Sequence, residues 1–351
     1  MAYTTIDKPT DYFRTKLYTG NNGSQSITFD EDTNMTPDWS WFKTRNRAAD
    51  SSIMDVVRGV RKSLTSNNVE GEYTESSGLS SWNTNGFSFD GPGFDLVNSS
   101  NTFASWHWLA ANGTSSNSGG AITSTVSANT TAGFSMVSYT GTGNSNNTVG
   151  HGLNQALDLL IIKNRDRSAG WKIGSTALSG NGFNYSLGFD TGGEGSNSNP
   201  FNNTAPTSSI FTIANGSYAD TNQSGEKFIA YCFHSVKGYS KIGRYTGNGN
   251  ANGTFVYTGF KPAFVLVKIT SGTDNWILMD NKRLGYNKDN YQLIPNSALA
   301  DQTPERADLL SNGFKARSTN GEVNSSGSTY LYMAFAENPF VTSTAIPAPA
   351  R

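Results

Sequence analysis

One pattern written three times constrains this 351-residue chain more than any other feature. The tripeptide Tyr-Thr-Gly occurs at Tyr18-Thr19-Gly20, Tyr139-Thr140-Gly141 and Tyr245-Thr246-Gly247. Turn residues rich in Asn, Gly, Ser and Thr follow each copy, then an apolar run ending at Lys43, Lys163 or Lys268. Those lysines stand 25, 24 and 23 residues after their tyrosines. Trp171 and Trp276 both lie eight residues after the lysine; Asp55 and Asp280 lie twelve after it, each with an arginine three further on, Arg58 and Arg283. Phe87, Phe211 and Phe314 precede closing aromatic runs at 103–108, 228–233 and 330–335. Landmarks in one order with one-residue drift mark tandem copies of a structural unit.

The units span 15–112, 133–237 and 238–340. Residues 1–14 form an N-terminal docking arm, 113–132 a Ser/Gly/Thr-rich linker, and 341–351 a Pro-rich tail that two prolines should keep extended. Each unit holds short β-branched or aromatic segments between Gly/Asn/Ser/Thr turns, and residues 157–162 and 263–267 read as strands buried on both faces. The expected fold is all-β: three β-sandwich modules in tandem, of jelly-roll type. Separate modules are favoured over one pseudo-threefold body, because each unit closes with its own apolar run. The arm is expected to be dispensable for folding.

Composition narrows the function classes. With 26 basic and 27 acidic residues the net charge is −1, which leaves no basic excess for nucleic acid. The single cysteine, Cys232, excludes a disulfide scaffold. No apolar stretch is long enough for a membrane helix. The start, Met1-Ala2-Tyr3-Thr4-Thr5, lacks the regions of a signal peptide, so synthesis in a cytosol is expected.

Candidate chemistry reads mostly as structure. His107 aligns with Cys232 and Ala334, and a position that tolerates all three is a packing position. Asp30-Glu31-Asp32 starts like a calcium loop, but Met35 and Trp41 replace the required Gly and Glu. Lys43, Asp55 and Arg58, and equally Lys268, Asp280 and Arg283, are expected to form structural ion pairs between neighbouring strands. Unit two breaks the pattern with Ser175. No carboxylate pair is singled out for glycosidase chemistry, and no catalytic residue, metal ligand or cofactor is expected. Most tryptophans fall at repeat landmarks and read as core. Trp82, with Asn83 and Asn85, is the candidate glycan contact, a ring beside amides.

The segments Tyr3-Thr-Thr-Ile-Asp-Lys-Pro-Thr-Asp-Tyr-Phe13, Asp55-Val-Val-Arg-Gly59, Thr123-Ser-Thr-Val-Ser-Ala-Asn129 and Tyr332-Met-Ala-Phe-Ala-Glu337 carry a resemblance. They resemble a family of poorly characterised virion-associated proteins of tailed phages from marine and cyanobacterial hosts. The resemblance implies a lectin-like tail-fibre or appendage component on the outside of the phage particle. It would dock to other virion proteins through the arm or the tail and touch host-surface carbohydrate. A homo-oligomer is expected, with a trimer favoured. The alternatives are a capsid decoration or head-fibre protein and a surface-polysaccharide depolymerase. A full fibre is disfavoured, because no heptads or Gly-X-Y runs supply a shaft.

Overall fold

The computed structural model describes residues 3–196, 199–283 and 291–347. Apart from a 3-10 turn at Pro9–Asp11 and the four-residue helix Gly321–Asn324, the regular elements there are strands. Each unit is built on one antiparallel sheet with the same strand order. In unit one the order is Phe13–Thr19, Thr102–Trp108, Trp39–Thr44, Ser52–Asp55. In unit two it is Phe134–Thr140, Lys227–Phe233, Leu159–Asn164, Lys172–Ser175, and in unit three Ser240–Thr246, Thr329–Pro339, Phe260–Ile269, Trp276–Asp280. A smaller sheet covers the outer face of each. Its equivalent cross-strand pairs are Ile27–Phe87, Val149–Phe211 and Val256–Phe314, and each unit has its own sandwich core around them.

The Tyr-Thr-Gly motif is a clasp on the loop that feeds the closing strand. Tyr18, Tyr139 and Tyr245 stack on Phe103, Phe228 and Tyr330 with interplanar angles of 12°, 13° and 12°. Their hydroxyls donate to the carbonyls of Val97, Thr221 and Val323. The next residue in each case is a fully buried asparagine: Asn98, Asn222 or Asn324. Each accepts from the turn after the motif (Asn21 N, Thr142 N, Asn248 N) and donates to carbonyls on both sides of the loop. The glycine is required because a Cβ at Gly20, Gly141 or Gly247 would lie 2.1–2.3 Å from a carbonyl oxygen of that loop.

The three units share one core. The inner faces of the three sheets meet in a single cluster that contains Phe13, Trp39, Trp41, Trp106 and Trp108, Phe134, Ile161 and Tyr231, and Phe264, Trp276 and Phe335. The Trp39 ring stacks on Tyr231 at 4.7 Å, and Phe13 stacks on Phe335 at 5.2 Å. The expectation of separate modules is therefore replaced by one pseudo-threefold body. A closing apolar run seals its own sandwich with one face, and its other face has alternate residues free to meet the neighbours.

Three segments outside the repeat also differ from expectation. Residues 113–132 contain the strands Ser115–Asn117 and Ser124–Asn129, which extend the sheet of unit two. Ser/Thr-rich composition reads as linker, but hydroxyls suit the exposed face of an edge strand. The arm does not hang free. Ile6 and Phe13 lie in the central core, Thr4 Oγ1 donates to Lys237 O, and Tyr3 OH donates to Gly259 O. Removing 1–13 would open that core. In the tail, Val341 bridges to Pro347 and Thr342 N donates to Ile346 O, so the described part turns back on itself at Ala345 (φ 66°).

Candidate functional site

The lysine that ends each apolar run is buried and seals a seam between units. Lys43 Nζ donates to Ala49 O in its own unit and to Ser297 O of unit three (2.8 Å). Lys163 Nζ donates to Ala169 O and to Val69 O of unit one (3.0 Å). Lys268 Nζ donates to Asp274 O and to Thr191 O of unit two (3.0 Å). Backbone bonds repeat the cycle. Ala49, Ala169 and Asp274 amides donate to Ala298, Val69 and Thr191, and Asp301, Glu72 and Glu194 amides donate back to Arg45, Arg165 and Thr270. Each unit thus lays an irregular strap over the next: 67–72 over unit two, 189–194 over unit three, 296–301 over unit one. Burial pushes all three lysines down to about 8, with nearby carboxylates opposing the shift.

The aspartates and arginines pair beside these lysines, not with them. Asp55 Oδ2 accepts from Arg58 Nε (2.5 Å), and Asp280 Oδ2 accepts from Arg283 Nε (2.7 Å); all four side chains are fully buried. Lys43 and Lys268 lie outside these pairs, because their ammonium groups point along the strand to the carbonyls of the strap. Each pair is completed by the neighbouring unit. Tyr231 OH donates to Asp55 Oδ2 (2.8 Å), and Trp106 Nε1 donates to Asp280 Oδ2 (3.1 Å). A strap carboxylate then joins the arginine to a second one across the seam. Glu72 lies 3.4 Å from Arg58 and 2.8 Å from Arg165, and Asp301 lies 2.8 Å from Arg283 and 2.7 Å from Arg45. Tyr231, Trp106, Glu72, Asp301, Arg45 and Arg165 were not signalled by spacing within one unit. Arg45 and Arg165, both two residues after a repeat lysine, were the available clue.

The axis end where the straps converge is closed by Phe189. Its ring sits 5.6 Å from Trp41, 5.4 Å from Trp171 and 5.1 Å from Trp276, one tryptophan from each unit. A shallow cleft of about 280 Å³ lies beside it, lined by Asn67, Val69, Trp171, Thr191 and Asn296 among others.

The remaining candidates are engaged internally. Trp82 is half-buried against the sandwich core of unit one, with Nε1 3.4 Å from Ser40 Oγ. Asn83 bonds Ser88 and Ser81; Asn85 accepts from Arg14 and donates to Phe29 O. Trp82 and Asn83 share one strand, Leu79–Asn83, where the Trp82 ring turns toward the core and the Asn83 amide lies on the other face, bonded to the Ser81 and Ser88 hydroxyls. Asp30, Glu31 and Asp32 pair with Lys16, Arg14 and Lys8. His107, Cys232 and Ala334 occupy the same register position, opposite Ser40, Leu160 and Val265. His107 is held between Ser40 and Ser105 hydroxyls, and burial keeps it neutral by pushing its pKa well below the usual range. Burial pushes the Cys232 thiol up, away from the reactive thiolate.

A family described as a domain of unknown function (DUF7483) matches residues 8–339. The chain belongs to this family. The match covers all three units, so the DUF7483 region is the whole pseudo-threefold body and not one of its sandwiches. No curated protein and no solved structure matches the chain.

Proposed function

We propose that this DUF7483 chain is a non-enzymatic structural component of a phage virion, a tail-fibre or tail-appendage protein that contacts host-surface glycans. The observation that carries this reading is how the repeat uses its charged groups. The repeat lysines and the Asp–Arg pairs of units one and three close the seams between units. Groups so engaged are held in place and kept from solvent, as suits a rigid building block. The exterior that remains is near neutral and rich in hydroxyl and amide groups, which suits contact with other virion proteins and with sugars. A trimer of chains belongs to this reading.

The test is localisation. Antibodies to the folded chain, gold-labelled on intact particles of the phage that encodes it, should mark the tail. Label over the head at hundreds of copies per particle would favour a decoration protein. No label on particles would overturn the virion reading. Purified chain is expected to release no reducing sugar from host-surface polysaccharide, and release would replace the reading with a depolymerase.

A further inference from the structure

Units one and three act as controls for each other on one surface; the unit-two copy is covered there, since Gly150 beside Val149 is buried and a Cβ on it would lie 2.2 Å from Asn117 Oδ1. On the outer sheets of units one and three, the residues flanking Ile27 and Val256 point to solvent. In unit one these are Ser26 and Thr28, both exposed. In unit three they are Phe255 and Tyr257, which are 43% and 47% exposed. Unit one builds the same open sheet with small residues there, so the fold does not require the rings. Large exposed aromatics on an otherwise hydroxyl-rich surface need another reason.

Their surroundings are cationic. Lys315 stands opposite Phe255 in the sheet register. Lys241 Nζ lies over the Tyr257 ring, 5.5 Å from its centroid. Tyr3 extends the aromatic strip through its hydroxyl, 3.2 Å from that of Tyr257, and Lys237 Nζ lies 4.6 Å from the Tyr3 centroid. Asp308, the acid across the sheet from Lys315, is paired with Arg317. None of the three lysines is paired with a carboxylate among the described residues.

We propose that this Phe255–Tyr257 strip, with Lys241 and Lys315, is a binding site for an acidic polysaccharide. It rests on the glycan-contact part of the function proposed above and moves that contact from Trp82 to unit three. A ring face stacks on the apolar face of a pyranose, and two rings on alternate residues of one strand, about 7 Å apart, fit successive sugars of an extended chain. The ammonium groups select a polymer that carries carboxylates. A neutral glycan would leave that charge unused.

The test uses the full chain and immobilised alginate, a polyuronate, with neutral dextran as the comparison. Wild type should bind alginate, more weakly as salt rises from about 50 to about 300 mM, and should leave dextran unbound. Phe255→Ser with Tyr257→Thr places the residues of unit one at the same positions. The melting temperature should therefore stay close to wild type while affinity falls at least about tenfold, the loss expected for removing aromatic anchors. Lys315→Gln should weaken binding about threefold, as expected for one rim charge. Equal binding to dextran, no binding to alginate, or full binding by the double variant would overturn the proposal. So would self-association that the double variant abolishes without any alginate binding. These outcomes are separable from particle localisation: a chain found on the tail that ignores alginate sinks this site alone, and a chain that binds alginate but is missing from particles sinks the virion role alone.

Discussion

Two of the three seams contain buried ion networks, and the third does without one among the described residues. Where unit one meets unit two, Asp55, Arg58, Glu72, Arg165 and Tyr231 form a connected set. Where unit three meets unit one, Asp280, Arg283, Asp301, Arg45 and Trp106 repeat it. Where unit two meets unit three, the equivalent residues are Ser175, Leu178, Glu194, Thr270 and Met333. Four of the five positions have changed together, and the strap acid is kept as Glu194. Leu178 and Met333 join the shared core, and Glu194 turns to accept from the amide and hydroxyl of Ser179. The strap bonds and the lysine are unchanged at this seam. The lysine and strap are thus the common closure, and the ion network is one of two ways to fill the space beside it. This agrees with the general finding that a buried ion pair and a well-packed apolar set of similar volume are close in stability.

The largest effect should come from removing one carboxylate from a buried network. Asp280→Ala takes the Nε partner from the fully buried Arg283, leaves it Asp301 alone as counter-charge, and should cost about 3 kcal/mol in urea unfolding. Ser175→Ala, at the matching site, removes the hydrogen bonds to Asp158 O and from Ala177 N and should cost only about 1 kcal/mol. Equal costs would break the distinction between the seams.

A smaller net change is expected when the fully buried part of a network is exchanged and the Glu72–Arg165 pair is left to itself. Asp55→Ser, Arg58→Leu and Tyr231→Met together copy the apolar seam onto the first one. Stability should fall by no more than about 2 kcal/mol, well under the cost of Asp55→Ala alone. A triple variant worse than the single would show that the two fillings are not interchangeable.

The smallest effect concerns the closure common to all seams. Burial lowers the folded pKa of Lys163 to about 8, from an ordinary value near 10.5. Between those values the unfolded chain binds more protons than the folded one, so this lysine makes stability rise with pH across that window. Lys163→Met should remove its share of the rise while costing about 1 kcal/mol at pH 7, since Val69 O still accepts from the Ala169 amide. Unfolding measured from about pH 7 to 10 reads this, and a variant with the wild-type slope would place the pH dependence elsewhere.

Tandem copies made much of this legible in advance, because each unit is an alignment for the other two. The repeat landmarks, the doubly buried strands and the shared position of His107, Cys232 and Ala334 follow from that comparison. Joining of the units did not. A strand buried on both faces looks the same whether its second cover belongs to its own unit or to the next, and Lys43 beside Asp55 looks like half of an ion pair until the strap carbonyls are in view. The straps have little period of their own to detect. Asn98, Asn222 and Asn324 were hidden in an Asn-rich chain, where composition masks a buried amide. Trp82 stood out by its neighbours in sequence, whereas Phe255 and Tyr257 stand out only against Ser26 and Thr28 in space.

Covalent tandem connection has a consequence for dilution. A ring assembled from three separate chains falls apart below its dissociation constant, and its stability depends on protomer concentration. Here units two and three abut at residues 237 and 238, and the strands at 115–129 tie unit one to unit two. Each seam closes at the effective concentration that those short connections impose. A single molecule carries the complete threefold body with it at any dilution. A change to one outer face, such as the aromatic pair of unit three, is also carried once and not forced on the other two.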